Sequence, residues 1–335
     1  MPNILDVARA AGVSVATVSR VLNGSTAVSP QTAERVNSLI TEMGYRPNSL
    51  GRNLRRMRTG IVLVLLPSIL NTFYSKIVKG IEDKAHEHSY NAIICTSDDD
   101  PKRERLFLNM VIDRQADGII CMSLHLKADE VNSFAKRFPL IQCCEYIDGV
   151  DSPSITIDNL EAAKEAVNHL IALGHREIGL ISCSNSYAST KLREEGYKRA
   201  LEANGISFKP ERIVLGNYSY QSGYKAAMKL YKTGVTAVFA ISDNMAIGAA
   251  RAASALGLRV PDDIAIVGFD DVNFATMFEP ALTTIAQPQY EMGKKAMELL
   301  LEGIGAKLPD SDKLIMPHKL VIRQSSVKQN KRSVF

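Results

Sequence analysis

The sequence predicts an α/β protein in which a small all-helical segment precedes doubly wound parallel sheets arranged as two lobes. Three observations lead there. Residues 5–43 place apolar side chains at helical spacing only. From Gly60 onward, short β-rich apolar runs alternate with amphipathic helices, the pattern of parallel strands covered on both faces. Ten such runs are too many to suit a single sheet, so two subdomains are expected, with a ligand cleft beyond the carboxyl ends of their strands.

The first element is a short helix with Val7, Ala8 and Ala11 on its apolar face. Gly12 stops it, and Ser14 can accept a backbone N–H as the cap of the next helix. That second helix, residues 15–22, turns Val15, Val18, Val21 and Leu22 inward and leaves Ala16, Thr17, Ser19 and Arg20 outside. Small or hydrogen-bonding groups with one forked cation suit a DNA major groove, although an amphipathic pair can also be a plain helical hairpin. A third helix, 30–43, carries Val36, Leu39, Ile40 and Met43 to close a three-helix core. Residues 44–48 break it, and a short basic segment, 49–58, follows.

Charge sharpens this division. Residues 1–60 hold eight arginines, no lysine and three acids, a net +5 against +4 for the whole chain, which leaves about −1 on the other 275 residues. The basic excess is confined to the segment where phosphates would need neutralising.

The strands are expected at 61–66, 92–96, 118–122, 140–144, 154–157, 177–182, 237–241, 264–269, 283–286 and 320–323. Helices fill the gaps, for example at 73–88, 159–173, 186–204 and 246–256. No Gly-x-Gly-x-x-Gly follows a strand, no Gly-Lys-Ser/Thr is present, and no triad or metal spacing emerges, so neither an enzyme nor a cofactor is expected. His86 and His88 are two apart on one helix and cannot share a face. Five cysteines, an odd number without Cys-x-x-Cys spacing, read as buried reduced thiols. The chain opens directly on a helix, and no apolar run reaches the roughly 18 residues of a membrane span, so a cytoplasmic protein with no membrane partner is expected.

Residues 4–58 resemble the DNA-binding headpiece and hinge of the LacI/GalR family of bacterial transcription repressors. The resemblance rests on Asp6-Val7-Ala8-x-x-Ala11-Gly12-Val13-Ser14-x-x-Thr17-Val18-Ser19-Arg20-Val21-Leu22-Asn23 and on Gly44-Tyr45-Arg46-Pro47-Asn48, and it continues to about Ser326. It implies a helix-turn-helix headpiece at 1–47, a hinge at 48–59 and a two-lobed periplasmic-binding-protein-like core at 60–335. The first lobe would take 60–158 plus a returning helix at 288–316, and the second 159–286 plus the last strand. It also implies a homodimer on a palindromic double-stranded DNA operator. Val15 and Ala16 would open the recognition helix, Thr17, Ser19 and Arg20 would bond bases, and Ser14 and Asn23 would hold phosphates. In the hinge, Leu54 matches the family's minor-groove wedge, with Arg52, Arg55, Arg56 and Arg58 beside it on phosphates. The duller reading of Leu54 is an ordinary apolar linker contact. So short a helix is marginal alone, and Gly51, where most relatives carry alanine, costs it roughly 1 kcal/mol more.

For the core the resemblance implies a small-molecule effector in the cleft. Asn71, Phe73 and Tyr74 follow the first strand; Arg193 and Tyr218 match an arginine and an aromatic that meet ligand; Asp243 and Asp270 match acids at strand ends. Each has an alternative. Asp243 could cap a helix beginning at Asn244, Phe73 could be core, Arg193 a solvated charge, and Asp271 a loop or interlobe contact. Residues 284–293 and the Leu50-Gly51-Arg52-Asn53 run resemble the cytidine-responsive branch, which implies a nucleoside, with a sugar or sugar phosphate next. Two rivals remain. One is a catabolite-control-type regulator with a phosphoprotein corepressor, which Glu298 disfavours; the other is a small-molecule-binding protein without DNA regulation.

Overall fold

The computed structural model describes residues 2–22, 24–45, 58–305 and 312–327. It divides at Thr59/Gly60 into two compact units, each taken by itself below.

The N-terminal unit is built from α1 (Ile4–Ala11), α2 (Val15–Leu22) and α3 (Pro30–Glu42). Local chemistry sets each boundary. The Leu5 and Asp6 N–H groups donate to Asn3 Oδ1 at 2.8 and 3.1 Å, and the Asn3 N–H returns a bond to Asp6 Oδ2 at 2.9 Å, a reciprocal cap. Gly12 ends α1 at φ 61°, a left-handed conformation that a Cβ would penalise. Ser29 caps α3, with Pro30 at its first position, where no N–H is needed. Val7, Ala8, Ala11, Val18, Val36 and Tyr45 form the buried centre, and Val15, Val21 and Leu22 pack against it partly exposed.

Among the described residues the second unit holds two six-stranded sheets. In chain order its elements are β1 (Ile61–Leu66), α4 (Tyr74–Glu87), β2 (Asn91–Thr96), α5 (Pro101–Ile112), β3 (Gly118–Cys121), α6 (Ala128–Ala135), β4 (Leu140–Cys143) and β5 (Ser154–Ile157). Then follow α7 (Asn159–Ala172), β6 (Ile178–Cys183), α8 (Ala188–Ala203), β7 (Ile213–Gly216), α9 (Tyr220–Leu230), β8 (Ala237–Ala240), α10 (Asp243–Ala255), β9 (Ala265–Asp270), α11 (Phe274–Met277) and β10 (Thr283–Ala286). The last are α12 (Gln289–Gly303), β11 (Lys313–Met316) and β12 (Lys319–Val321).

The first lobe's sheet runs β11-β5-β4-β3-β1-β2, all parallel. The second runs β12-β10-β9-β8-β6-β7, parallel except for β12 against β10. Strands buried on both faces are apolar along their length, as in Ile61–Leu66 and in Ala265–Phe269 ahead of the terminal Asp270. The chain changes lobe after β5, after β10 and again between β11 and β12. The helix α12 returns to the first lobe and crosses α4 at near contact of backbones. A Cβ on Gly80 would lie 2.1 Å from the Tyr290 carbonyl oxygen, and one on Gly293 2.0 Å from that of Ile77. Among the described residues no helix is long and apolar enough to cross a membrane.

The structure corrects three expectations. The segment expected as one helix to residue 316 ends as a helix at Gly303; residues 313–316 are instead a strand, registered from Lys313 against Ser154. Residues 213–216, not expected as a strand, pair with β6. Both are edge strands with partly exposed side chains, so neither shows the continuous apolar run of a central strand. Finally, α10 begins at Asp243, three residues before the expected start.

Candidate functional site

In the N-terminal unit, the start of α2 is fixed by a side-chain cap. The Ser14 hydroxyl accepts the Thr17 N–H at 3.1 Å and lies 2.9 Å from the Thr17 hydroxyl. Ala16 and Arg20 are exposed, while Val15, Thr17 and Ser19 are half-buried. Asn23, Arg52, Leu54, Arg55 and Arg56 lie outside the described residues; Arg58 lies within them and is exposed.

In the second unit a cavity of about 570 Å³ opens between the lobes at the carboxyl ends of the strands, within the range typical of small-molecule sites. It gathers Asn71, Phe73, Tyr74, Arg193, Tyr218 and Asp270, which the sequence spreads over 200 positions. Phe73 and Tyr74 form an edge-to-face pair with centroids 5.2 Å apart. Phe73 belongs to the buried core and also borders the cavity, so its two readings coincide.

Arg193 is no solvated charge. Only 5% exposed, it donates from Nε to Asn159 Oδ1 at 2.9 Å and from Nη1 to the Ile241 carbonyl at 2.7 Å. Its guanidinium carbon lies 3.6 Å from the Phe269 ring centroid, and Nη1 stands 3.7 Å from Asp270 Oδ1. Asp270, the last residue of β9, has a left-handed φ of 118° and accepts the Gln287 side-chain N–H at 2.8 Å. Burial lifts its carboxyl to about 7 even though Arg193 and Gln287 pull it down. Tyr218 at φ 63°, Cys144 at φ 72° and Asp99 at φ 58° also border the cavity, so with Asp270 four non-glycine residues hold unusual backbone there. Burial pushes the Cys183 thiol at the cavity wall up to about 12, leaving it an apolar, protonated group.

Asp243 does not reach the cavity, and it does not cap α10. Ser242 is the cap, its hydroxyl accepting the Met245 N–H at 3.4 Å. Asp243 is fully buried behind the wall, taking the Thr284 hydroxyl at 2.6 Å and the Val272 N–H at 2.9 Å. Its place lining the cavity falls to the next residue, Asn244. Asp271 makes the expected loop and interlobe contacts. Its carboxylate accepts Arg323 at 2.8 Å, and its carbonyl accepts Lys76 of the other lobe at 3.2 Å.

Residue-by-residue reading missed Glu145, Asp99, Tyr187, Asn159 and Gln287, all of which line the cavity. Glu145, from the first lobe, accepts the Ser189 N–H at 3.1 Å and also the Ser189 hydroxyl, on the first turn of α8 in the second. Burial raises its carboxyl while those bonds and Arg193 pull it down. The Tyr187 hydroxyl donates across the cleft to Asp99 Oδ1 at 2.7 Å. Both acids follow first-lobe strands, Glu145 two residues beyond β4 and Asp99 three beyond β2. Inspecting the carboxyl end of every strand would have found them. The two lobes thus close on each other through paired polar groups around a ring-lined space.

Comparison with known proteins bears on both units. Residues 3–48 match the model for bacterial regulatory proteins of the lacI family, and residues 167–326 match the periplasmic binding protein-like domain. The chain is 39% identical over 327 residues to catabolite control protein A of Priestia megaterium, covering 96% of this chain and 98% of that protein. It is 37% identical over 324 residues to the HTH-type transcriptional repressor CytR of Escherichia coli K12, covering 96% and 95%. Among solved structures, a lac repressor dimer bound to operator and the anti-inducer ONPF superposes with a TM-score of 0.87 at 29% identity, covering 97% of this chain and 99% of that one. A complex of the regulator CelR with cellobiose gives 0.74 at 30%, covering 97% and 100%.

Proposed function

The chain belongs to the lacI family of bacterial regulatory proteins, and on that premise we propose that it represses transcription as a homodimer on a palindromic operator, under control of a nucleoside or sugar held between its lobes. The observation that carries the reading is the pairing, in one chain, of a short helix that exposes Ala16 and Arg20 within a net-basic N-terminal segment and a cavity of about 570 Å³ lined by aromatic, amide and carboxylate groups. The complex of the relative CelR with cellobiose supports the effector class.

The working parts follow from the chemistry. Residues 1–47 act as the headpiece, 48–59 as the hinge and 60–335 as the core. Arg20 reads base edges, Ser14 and Asn23 set register on phosphates, and Leu54 wedges the central step with Arg52 and Arg55 beside it. A second copy covers the exposed edge strand β2, where Ile93 and Ile94 are 43% and 45% exposed, together with Ile69 and Leu70 at 68% and 86%. Ligand hydroxyls are accepted by Asp270 and met by Arg193 and Asn159, and rings lie against Tyr74, Tyr187 and Tyr218. The resulting difference in lobe closure alters operator affinity by a coupling free energy, about 1–3 kcal/mol in ordinary cases. No residue is assigned a catalytic role, and the site of action is the cytoplasm.

A phosphoprotein corepressor is the weaker alternative. Glu298 on α12 is paired with Lys84 at 3.5 Å and Lys295 at 3.3 Å, so the surface offers mixed charge where an anionic partner gains most from free cations.

The test is an anisotropy titration of the full chain with a palindromic and a scrambled duplex over a salt series. Strong preference for the palindrome and a steep salt slope are expected. Leu54→Ala is expected to weaken palindrome binding without moving the thermal midpoint of the core; unchanged affinity would remove the wedge role.

A further inference from the structure

We propose that the cleft admits an uncharged polyhydroxyl ligand and rejects the phosphorylated form of the same molecule, because Glu145 already fills the anion position at the first turn of α8. The inference rests on the effector-binding reading above and narrows the chemistry of that same cavity.

Phosphate groups are held at helix N-termini and by arginine or lysine. Several helices begin at this cleft, and each has first-turn N–H groups already bonded within its own segment. At the start of α4 the Tyr74 and Ser75 N–H groups go to the Asn71 and Thr72 carbonyls at 3.3 and 3.2 Å. The Ser222 N–H of α9 goes to the Ser219 hydroxyl at 3.2 Å, and the Met245 N–H of α10 to that of Ser242 at 3.4 Å. The start of α8 differs in kind, because its acceptor is an acidic side chain supplied by the opposite lobe.

The charge balance points the same way. Asp99, Glu145 and Asp270 line the cavity against the single cation Arg193, and no lysine or histidine is among the described lining residues. Two nitrogens of Arg193 are already taken, Nε by Asn159 and Nη1 by the Ile241 carbonyl, with the Phe269 face and Asp270 alongside. A phosphate entering this space meets like charge at short range and finds no free helix end, a repulsion of the kind that dominates discrimination between partners. Hydroxyl groups fare oppositely, since carboxylates and amide oxygens accept from them.

The test pairs neutral and phosphorylated probes on the full chain at constant ionic strength, by calorimetry and thermal shift. The probes are cytidine and cytidine 5′-monophosphate, adenosine and its 5′-monophosphate, ribose and ribose 5-phosphate, and inorganic phosphate. In the wild type the phosphorylated member of any binding pair should bind at least about tenfold more weakly. Glu145→Gln, an isostere that can still accept from Ser189, should narrow that ratio severalfold. In Glu145→Ala, inorganic phosphate should raise the midpoint of the core by more than it does in the wild type, whether or not any pair binds. A phosphorylated probe binding the wild type as tightly as its neutral partner overturns the proposal, as does an equal phosphate response in wild type and Glu145→Ala. The regulator reading stands or falls separately, on the palindrome titration.

Discussion

The N-terminal unit and the core recognise their partners with opposite materials. The first carries +5 in 60 residues around a centre of six buried side chains, none of them charged. The core is close to neutral over the remaining 275 residues and instead buries ionisable groups, with Arg193 and Asp270 at 5% exposure and Asp243 at 0%. Exposed cations act at a distance and are screened by salt, so they supply affinity with little dependence on exact geometry. Buried polar groups must be paired where they stand, so they supply selectivity and tie it to stability. Mutations should therefore separate cleanly: changes in the recognition helix lose DNA binding alone, whereas changes at the cavity lose ligand and stability together.

The largest effect is expected from Arg193→Ala. It strands Asp270, Asn159 Oδ1 and the Ile241 carbonyl, and removal of one partner from a buried charged cluster costs roughly 3–5 kcal/mol. Urea unfolding of the core should show that loss and thermal shift should show no response to nucleosides or sugars. Palindrome binding measured below the unfolding range should persist. Unaltered stability would place the guanidinium in solvent and break the contrast.

A pH series comes next. The Asp270 carboxyl stands at about 7 against an ordinary 3.8, so between those values the folded state binds more protons than the unfolded chain. Stability should therefore fall as pH rises from about 4 to about 7 and level off above, and Glu145 and Asp243 are shifted in the same direction. Asp270→Asn should flatten part of that slope. Ligand hydroxyls donating to Asp270 favour its ionised form, so effector affinity should rise as pH rises through about 7. A fall in affinity over that range would show that the carboxylic acid, not the carboxylate, meets the ligand.

Smaller effects belong to the headpiece. Arg20→Ala should cost roughly 1–3 kcal/mol on the palindrome and leave the midpoint of the core unmoved. Equal loss on palindrome and scrambled duplex would make Arg20 a phosphate contact. Ser14→Ala removes the acceptor of the Thr17 N–H and should cost about 1 kcal/mol of headpiece stability by circular dichroism.

The same contrast explains what was legible in the sequence. The headpiece is short-range: Gly12, Ser14 and the i, i+3, i+4 apolar spacing are enough to place α1 and α2. The central strands of both sheets declare themselves by continuous burial, whereas Ile213–Gly216 and Lys313–Met316 sit at or near sheet edges and keep solvent on one side. The cavity residues Arg193 and Asp270 were found through family resemblance, since nothing local distinguishes a buried guanidinium from an exposed one. Glu145 and Ser189 meet only because two lobes close on each other, and no spacing along the chain encodes that contact. Asp243 was misplaced for a related reason. Its neighbour Ser242 can cap equally well, and which of the two does so depends on the bonds Asp243 makes to Thr284 and Val272.

One measurement addresses the central claim most directly: sedimentation and anisotropy of the full chain on a palindromic duplex and on a scrambled duplex of the same composition, with and without cytidine or ribose. The account predicts a dimer that holds the palindrome by orders of magnitude over the scrambled duplex, with an affinity that moves when a cleft ligand is added. A monomer that binds both duplexes equally, indifferent to every such ligand, would contradict it.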